Sequence, residues 1–494
     1  MNLIAKSLLC GRIGICLLGA AASVTVLAAP AGANVTISSA ATKNMSCSGG
    51  ICSPTAKTAV LNVTGLEHML KSGSVTVTTT GSGTVQAKNI VVDVALTWSS
   101  SNGLTLTANQ SIAFDAPVSV TGKGGFTLDD AGRESLAFYN GANVTFSNLL
   151  SALTINGNSY VLVDTVAALA SAIGANQSVD VALASNYDAS KDGTYSSAPV
   201  PGPFDGVFEG LGNTISNLTI VDGTQSAAAD GLFGNTTSPT ISNFGMANVS
   251  ITSTGDQGAN GAAGIVCNIN SGGLMWRSYA TGSITMGRLD GGAGLACGNV
   301  PIVQSWANVA ISGTQGDTFG GLSLGGNSSV IQQSFSMGPL SCSGQNCQLG
   351  GLALNGALIS DSYSIGAVSD TSTGGGDAAY IGGLLSQNGG GTIERAYAAG
   401  KITSPSPACG NGGNCVGGLY GLEDGSNNVH VYWDKTTTKV AQAAGNEGSD
   451  PGTRGLSNKT FVAQLPKGFN PKMWAENPNI NDGLPYLIAN PPPN

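Results

Sequence analysis

Ten cysteines are the residues of this sequence whose spacing first suggests chemistry. Cys10 and Cys16 lie in an apolar N-terminal segment. The other eight fall into local pairs, which are Cys47 with Cys52, Cys267 with Cys297, Cys342 with Cys347, and Cys409 with Cys415. Three of these pairs enclose the Gly-containing segments CSGGIC, CSGQNC and CGNGGNC, which are flexible enough to form closed turns. We therefore predict four disulfides and an oxidising compartment.

A metal site is the alternative use of these cysteines. Zinc sites usually combine thiolates at CxxC spacing with nearby His. The sequence has two His, His68 and His430, and they lie on unrelated segments. The same two His offer no Ser-His-Asp set, and no Gly-Lys-Ser/Thr phosphate loop follows a strand. We predict no metal, no cofactor and no catalytic residue.

Carboxylate pairs are the second possible chemistry, because a polysaccharide lyase or glycosidase on a repeat fold would need them. The pairs are Asp129 with Asp130, Asp188 with Asp192, and Glu423 with Asp424. None recurs at equivalent positions of neighbouring repeats, which is how a repeat protein would gather acids in one cleft, so turn carboxylates are the favoured interpretation. The segment 374–377, Gly-Gly-Gly-Asp, has similarity to a calcium-binding nonapeptide but occurs once, whereas calcium sites need consecutive copies.

An N-terminal segment has the pattern of a secretory signal. Lys6 and Arg12 give a positive start, an apolar run spans 13–29, and Ala31-Gly-Ala33 suits signal peptidase. We predict a signal peptide over residues 1–33. A membrane anchor is the alternative, although the apolar run is shorter than the roughly 20 residues of a span. We predict no membrane span in the mature chain. A formal net charge of −9 makes nucleic acid and anionic lipid poor partners.

The elements that position these residues are predicted to be mostly strands. Gly contributes 73 residues and charged types 10%, which favours turns and stacked strands over exposed helices. Over residues 34–162, a β-rich region, alternating apolar runs predict half-buried strands. These runs begin at Asn34, Gly73, Ile90, Leu104 and Val118. Short helices are expected at 64–70, with Thr64 as the cap, and at 166–173 within a connecting segment, 163–203.

Residues 204–435 repeat with a period of about thirty residues. Each unit opens with Gly and an aliphatic residue and ends with an aromatic residue. The openings are Gly231-Leu232, Gly264-Ile265, Gly294-Leu295, Gly321-Leu322, Gly351-Leu352, Gly383-Leu384 and Gly418-Leu419. The aromatic residues are Phe244, Tyr279, Trp306, Phe335, Tyr363, Tyr397 and Tyr432. Residues 436–494 follow as a C-terminal cap and tail.

The first, third and fifth residues after most of these aromatics are small, small and aliphatic. The sets are Ala280, Gly282, Ile284; Ala307, Val309, Ile311; Ser336, Gly338, Leu340; Ser364, Gly366, Val368; and Ala398, Gly400, Ile402. Such a face fits a narrow interior built by stacking similar rungs about 4.8 Å apart. We predict an all-β fold, a parallel and right-handed β-helix with few short helices. Cys267 and Cys297 would then bridge adjacent rungs, and two unlinked buried thiols are the alternative.

The aromatic residues allow two interpretations. They form either an exposed stacking ladder that grips sugars or a buried ladder that steadies the fold, and we favour the buried ladder. The loops 254–261 and 371–377 are better binding candidates, because loops of variable length tolerate change.

At the repeat openings the chain resembles bacterial proteins with the GLUG motif, seen as Gly231-Leu-Phe-Gly and more loosely as Gly320-Gly-Leu-Ser-Leu and Gly350-Gly-Leu-Ala-Leu. The segment 204–220 and Asp482-Gly-Leu-Pro-Tyr-Leu look like borders of such arrays. The N-terminal region, with Thr97-Trp98 and Leu153-Thr-Ile-Asn-Gly, resembles parts of filamentous-haemagglutinin-like adhesins. This resemblance implies a secreted or cell-surface β-helix used in adhesion. A two-partner secretion domain, a C-terminal β-barrel and a sortase-like anchor are not found.

We therefore expect a non-enzymatic, adhesin-like protein that is secreted or held at the bacterial cell surface. Its expected partners are host-cell or matrix surfaces, as glycans or proteins, and an outer-membrane transporter. Many modest contacts on repeated surfaces would then set binding by avidity. A polysaccharide-degrading enzyme and a purely structural envelope or matrix protein are the alternatives.

Overall fold

The structure, a computed structural model, describes residues 32–493 except 82–83, 131–135, 225–228, 255–260, 268–271, 289, 315, 327–328, 372–378, 406–408, 410–414 and 448–449. The predicted signal peptide therefore lies outside the described residues except for its last two positions. Most of the loops 254–261 and 371–377, which include the motif at 374–377, lie outside them as well.

The N-terminal region consists of three sets of short parallel strands. One set contains Asn34–Ser38, Ala59–Asn62, Asn89–Val92, Ile112–Phe114 and Leu136–Phe138. A second contains Ile51–Pro54, Val75–Thr78, Leu104–Thr107, Phe126–Asp129 and Leu153–Ile155, and a third contains Leu96–Trp98, Val118–Val120 and Val144–Phe146. Alternate residues of these strands are buried, as the period-two pattern predicts. The β-rich character of this region is confirmed.

Three details of this region differ from the expectations. The run that begins at Ile90 forms two strands rather than one, because the chain turns between Val92 and Leu96 to pass from the first strand set to the third. The first helix is Val63–Ser72, and its cap is Asn62 rather than Thr64. The Asn62 side chain accepts a hydrogen bond from the backbone N–H of Gly65, which satisfies one of the helix's free donors.

The second helix, Val166–Ala175, is capped by Thr165 and leads through Val181–Leu183, Tyr187–Asp188, the 3-10 turn Ala189–Asp192 and Thr194–Tyr195 into the repeats. Backbone hydrogen bonds join this segment to the N-terminal region. The Val144 N–H donates to Leu211 and the Phe146 N–H donates to Ala184, at 2.9 and 2.8 Å. The two β-rich regions are therefore in direct contact along the strand Val144–Phe146, the last of its set.

Each repeat unit contributes strands to parallel ladders. The first ladder contains Val207–Glu209, Thr240–Ser242, Leu274–Trp276, Ile302–Val303, Val330–Gln332, Leu358–Ser364, Thr392–Ala398, Asn427–Asp434 and Thr453–Leu456. The strands that follow the turn are Thr214–Ser216, Thr219–Asp222, Gly245–Ser253, Tyr279–Met286, Trp306–Gly313, Phe335–Ser336, Leu340–Cys342, Val368–Asp370 and Ile402–Thr403.

A further ladder precedes the Gly-aliphatic openings. It contains Ala229–Asp230, Gly261–Ala263, Gly291–Ala293, Thr318–Gly320, Gln348–Gly350, Tyr380–Gly382 and Cys415–Gly417. Two more strands, Leu385–Asn388 and Tyr420–Glu423, pair with each other. The aliphatic residue of every opening, from Leu232 to Leu419, is fully buried. The chain is thus mostly β with large parallel sheets. The burial of these aliphatic residues confirms that the openings predicted from the repeat contribute to the core.

The predicted inward face after each aromatic residue is buried as well. Ala280, Ile284, Ala307, Val309 and Ile311 are each at most 1% exposed. A Cβ on Gly366 or Gly400 would collide with a backbone carbonyl of the preceding unit, so these positions require glycine. Phe244 is the exception among the aromatics. Gly245 pairs with Tyr279 in the ladder, and Phe244 points instead into the core against Phe208.

All four predicted cysteine pairs are disulfides in the structure. Cys267 and Cys297 join adjacent units with their Cα atoms 4.6 Å apart, inside the expected range. The alternative of two unlinked thiols is thereby excluded. Disulfides of this number are typical of an oxidising, extracellular environment.

The segment after the last repeat covers the end of the repeats and then runs back along them. After the helical turns Lys435–Thr438 and Asn458–Phe461, the chain folds back along the repeats through the hairpin Trp474–Ala475 with Tyr486–Leu487, which also contains the 3-10 turn Asn481–Gly483. We call residues 457–491 the return segment. In the described part of the chain no helix is long and apolar enough to cross a membrane.

Candidate functional site

One aromatic side chain per unit stacks on the next along the outside of the repeats. From Tyr279 through Trp306, Phe335 and Tyr363 to Tyr397, ring centroids are 4.7 to 5.9 Å apart and the planes are within 5° of parallel. We call these five residues the aromatic column. Since parallel strands place equivalent residues above one another, the column follows directly from the repeat. The predicted stacking is therefore confirmed for five of the seven aromatic residues, whereas Phe244 packs on Phe208 and Tyr432 meets Phe469 edge-on.

The return segment covers one end of this column. Phe335, Tyr363 and Tyr397 are completely buried, and Trp474 of the return segment packs on the last two at centroid distances of 5.9 and 6.1 Å. The Tyr397 hydroxyl donates to the carbonyl of Pro485 at 2.6 Å. At this end the aromatic column is a structural core, as the buried-ladder interpretation predicts.

The other end of the column is open. Tyr279 and Trp306 are half-buried and line a cavity of about 360 Å³. Its walls come from three distant segments of the chain: the N-terminal turn at 138–143, the first repeat units, and residues 489–491 at the end of the return segment. We call this the junction cavity. Its volume falls in the range of about 300–1,000 Å³ that is usual for small-molecule sites.

A second column supplies the polar side chains of the cavity. In each unit the residue two positions before the aromatic column adopts a left-handed backbone conformation with φ between 46° and 58°, although none of these residues is glycine. They are Asn243, Arg277, Gln304, Gln333, Asp361, Arg395 and His430. We call this set the turn column. The conformation turns the chain from the first ladder into the aromatic strand, and it costs a non-glycine residue about 1–2 kcal/mol.

Two members of the turn column at the covered end, Asp361 and Arg395, form an ion pair. Arg395 makes a bidentate contact with Asp361, at 2.9 Å from Nε to Oδ1 and 2.9 Å from Nη2 to Oδ2. Asp361 also accepts a hydrogen bond from the indole N–H of Trp474. This network fastens the return segment to the repeats.

At the open end, the turn column lines the junction cavity with unsatisfied polar atoms. Asn243 Oδ1, Gln304 Oε1 and Arg277 Nε are buried and have no hydrogen-bond partner among the described residues. Asn243 is 4% exposed, so its carbonyl oxygen has lost water without gaining a protein donor. Buried polar atoms are normally paired, and three unpaired ones in the wall of one cavity make this cavity the candidate binding site.

Arg277 carries the charge of this cavity. Its guanidinium carbon lies 5.4 Å from the ring centroid of Tyr139 and 5.3 Å from that of Trp276, both within the range of cation–π contact. None of the described residues that line the cavity is acidic, and no carboxylate of the described residues forms an ion pair with Arg277. The cavity is therefore locally positive in a chain whose net charge is −9.

A buried carboxylate lies behind the cavity wall. Glu209 accepts hydrogen bonds from the Ser242 hydroxyl at 2.6 Å and from the Asn243 side-chain amide at 3.2 Å. Burial raises the pKa of Glu209 to about 7, and these hydrogen bonds only partly oppose the effect. Glu209 thus fixes the orientation of Asn243, whose oxygen is left free.

The residues that the sequence singled out for chemistry lie elsewhere. None of the eight disulfide cysteines lines the junction cavity. Asp130 exchanges hydrogen bonds with Asn156, Asp188 caps the turn at 189–192, and Glu423 accepts from the backbone of Ser426, so these acids act in turns. Among the described residues no group of three or more His, Cys, Asp or Glu is placed to hold a metal ion.

Sequence reasoning missed the turn column and a neighbouring serine ladder. Ser278, Ser305 and Ser334 each donate a backbone N–H to the hydroxyl of the serine one unit later, which is Ser362 for the last of them, at 3.0 to 3.2 Å. The signal was present, because a polar residue followed by serine stands before four of the aromatics. It concerns residues of different types, however, and a search for hydrophobic periodicity passes over it.

Comparison of the chain with protein-family models, with curated proteins and with solved structures gives no match. The resemblance to GLUG-motif and haemagglutinin-like proteins consequently remains a prediction. The junction cavity is therefore the feature of the molecule from which a function can be inferred.

Proposed function

We propose that this chain is an exported, adhesin-like protein of the bacterial surface that binds a ligand in the junction cavity and performs no reaction on it. The repeats act as a rigid body that holds the cavity walls in place. The single observation that carries the proposal is the composition of the cavity wall, in which residues with unpartnered polar atoms surround the half-buried pair Tyr279 and Trp306. Export is supported by four disulfides and by the signal pattern of residues 1–33.

The proposed architecture is a right-handed parallel β-helix. Successive units pair in parallel through several ladders at once, with equivalent residues facing one another. A parallel connection within one sheet is right-handed in about 98% of cases, because a right-twisted strand returns onto its sheet in that sense. A stack of this kind is stiff along its length, which suits a protein that presents a surface.

A binding role fits the cavity better than catalysis does. Hydrolysis of a glycosidic bond uses two carboxylates across the sugar, and the described residues that line the cavity include neither Asp nor Glu. The amides present there donate and accept hydrogen bonds, the guanidinium only donates them, and neither kind of group exchanges protons near neutral pH.

An array experiment tests the proposal. The purified, oxidised protein is applied to immobilised glycans and matrix proteins, and both retained protein and loss of each glycan are measured. Retention without glycan loss is expected. Loss of a glycan would replace the proposal with an enzymatic function. If no protein is retained and no glycan is lost, a structural role remains.

The contribution of the cavity is tested with Trp306→Ala, which opens one wall, beside Leu150→Ala. Leu150 is 87% exposed and lies outside the cavity lining, so its removal controls for a general change of surface. Retention should fall for the Trp306 variant alone. Equal retention by both variants would move the binding site away from the cavity.

A further inference from the structure

We propose that the junction cavity takes an acidic sugar residue, and that Arg277 contacts its carboxylate or sulfate group. The inference rests on the proposed binding function and names the ligand class. It begins from one contrast within the turn column. Arg395 is neutralised by Asp361 and Glu394, at 2.9 and 2.7 Å, whereas Arg277 occupies the equivalent position of an earlier unit and has no described carboxylate beside it.

The guanidinium of Arg277 is held in position before any ligand arrives. It lies over the rings of Tyr139 and Trp276, and Trp276 is 6% exposed within the packed repeats. Contact with aromatic faces restricts the plane of a guanidinium, and because Nε of Arg277 is buried, the two terminal Nη groups form the edge that a ligand can meet. An arginine with a fixed plane and a free edge is suited to bind two oxygens of one anionic group.

The remaining polar groups of the cavity match hydroxyl groups. Asn140, Asn143, Asn243 and Gln304 line it with amides, and each amide offers both a donor and an acceptor. A sugar hydroxyl likewise donates and accepts, so several hydroxyls can pair with the amides that line the cavity. A simple carboxylate such as acetate would occupy the arginine and leave those amides without a partner in the ligand.

The aromatic residues define how the sugar lies. Tyr279 and Trp306 stack face to face with centroids 4.7 Å apart, and Tyr279 also covers Gly245. Their faces are therefore occupied within the column, and the cavity meets ring edges. Ring edges carry partial positive charge, which favours the oxygen-rich rim of a sugar over its C–H face.

The charge of the whole chain limits how acidic the ligand can be. A net charge of −9 repels a polyanion, and the attraction of one arginine is screened beyond about 8–10 Å at physiological salt. The ligand that fits is a single acidic residue on an otherwise neutral glycan. A heavily sulfated or polyuronic chain is disfavoured.

Direct binding to oligosaccharides tests this inference. The full oxidised chain is titrated, by calorimetry, with three matched sets: a neutral oligosaccharide, the same oligosaccharide with one terminal carboxylated sugar, and the same with one sulfated sugar. The variants are Arg277→Ala, Arg277→Lys and Arg288→Ala. Arg288 is exposed and outside the cavity lining, so its removal changes net charge equally.

The carboxylated or the sulfated form should bind at least tenfold more tightly than the neutral form. Arg277→Ala should weaken that binding roughly 10- to 100-fold, since a charge-assisted hydrogen bond contributes about 1.5–3 kcal/mol. Arg277→Lys should recover part of it and Arg288→Ala should change it less than twofold. Thermal unfolding of each variant confirms that the fold is intact.

Two contrary results are distinguishable. Binding of the neutral and acidic forms with equal affinity, or an equal effect of both alanine variants, would overturn the acidic-sugar assignment and leave a binding function. Failure of any saccharide to bind in the calorimeter, together with an empty glycan array, would overturn both.

Discussion

The two ends of the aromatic column are built from the same repeat and end in opposite states. At one end Phe335, Tyr363 and Tyr397 are fully buried beneath Trp474 and its neighbours. At the other, Tyr279 and Trp306 are half-buried beside a cavity whose polar atoms lack partners. The repeat alone therefore determines where side chains stack. What covers the stack decides whether it stabilises the protein or binds a ligand.

The largest expected effect removes the cover. Trp474→Ala deletes a side chain that is 1% exposed and leaves Asp361 without one of its donors, so it should cost about 3–5 kcal/mol of stability. Trp306→Ala, at the open end, should cost less than half as much. Urea unfolding followed by tryptophan fluorescence measures both. Similar losses would mean that the two ends are equally packed.

The next effect concerns how adjacent units are tied at the open end. Cys267 and Cys297 link two early units across a loop of 30 residues. Their joint replacement by Ser should cost about 3.5–4 kcal/mol for a loop of this length, by the chain-entropy account. The loss should be visible in the thermal midpoint under oxidising conditions and absent after reduction. A loss that persists between reduced wild type and reduced variant would indicate a packing effect of the substitution itself.

A pH dependence of stability is expected from Glu209, the buried carboxylate near the open end. Asp361 is ion-paired with Arg395, whereas Glu209 has a pKa raised by burial to about 7 from its ordinary value near 4.5. The folded state therefore retains a proton that the unfolded state releases, and its stabilisation is present below pH 4.5 and lost as pH rises through 7. On the order of 1–3 kcal/mol should depend on pH in that window.

Glu209→Gln should flatten the slope of stability against pH between about 4.5 and 7. Asp115→Asn is the control. Burial raises the pKa of Asp115 only to about 6, so its contribution to the pH dependence of stability should be nearly complete at pH 7. Thermal midpoints at half-unit steps of pH provide the measurement. An unchanged slope near pH 7 in the Gln variant would contradict the assignment to Glu209.

The smallest effect compares two arginines of the turn column. Arg395→Ala should cost about 1.5 kcal/mol, because Asp361 is 4% exposed and would lose its cationic partner. Arg277→Ala should cost less, about 0.5–1 kcal/mol, since it loses contacts with the rings of Tyr139 and Trp276 but leaves no buried carboxylate without its cation. Chemical unfolding of the two variants side by side decides. Equal costs would make Arg277 a structural residue and weaken its assignment to a ligand.

The contrast also explains what sequence could and could not predict. The Gly-aliphatic openings, the aromatic positions and the Cys267–Cys297 bridge are periodic, and parallel strands convert periodicity directly into contact. Phe244 fell out of register because Gly245 occupies the stacking position in that unit. The helix cap moved from Thr64 to Asn62 because Val63 and Thr64 both belong to the helix.

The junction cavity had no periodic signal. It is lined by Tyr139, Arg277 and Asn490, which come from the N-terminal region, the repeats and the return segment. Nothing in the pattern of residues 457–491 indicates that they run back along the column rather than away from it. That path becomes visible only in the structure, where Trp474 packs on the column and Asn490 donates hydrogen bonds to the carbonyls of Ser305 and Gln333.

The path of the return segment also imposes an order of events during biosynthesis. A ribosome makes Tyr139 about 350 residues before Asn490, so one wall of the cavity emerges long after the wall that faces it. A nascent chain that stops before Trp474 would expose Phe335, Tyr363 and Tyr397 and would lack a complete cavity. Ligand binding by this protein would thus report that synthesis has passed Asn490 and that the return segment has folded back.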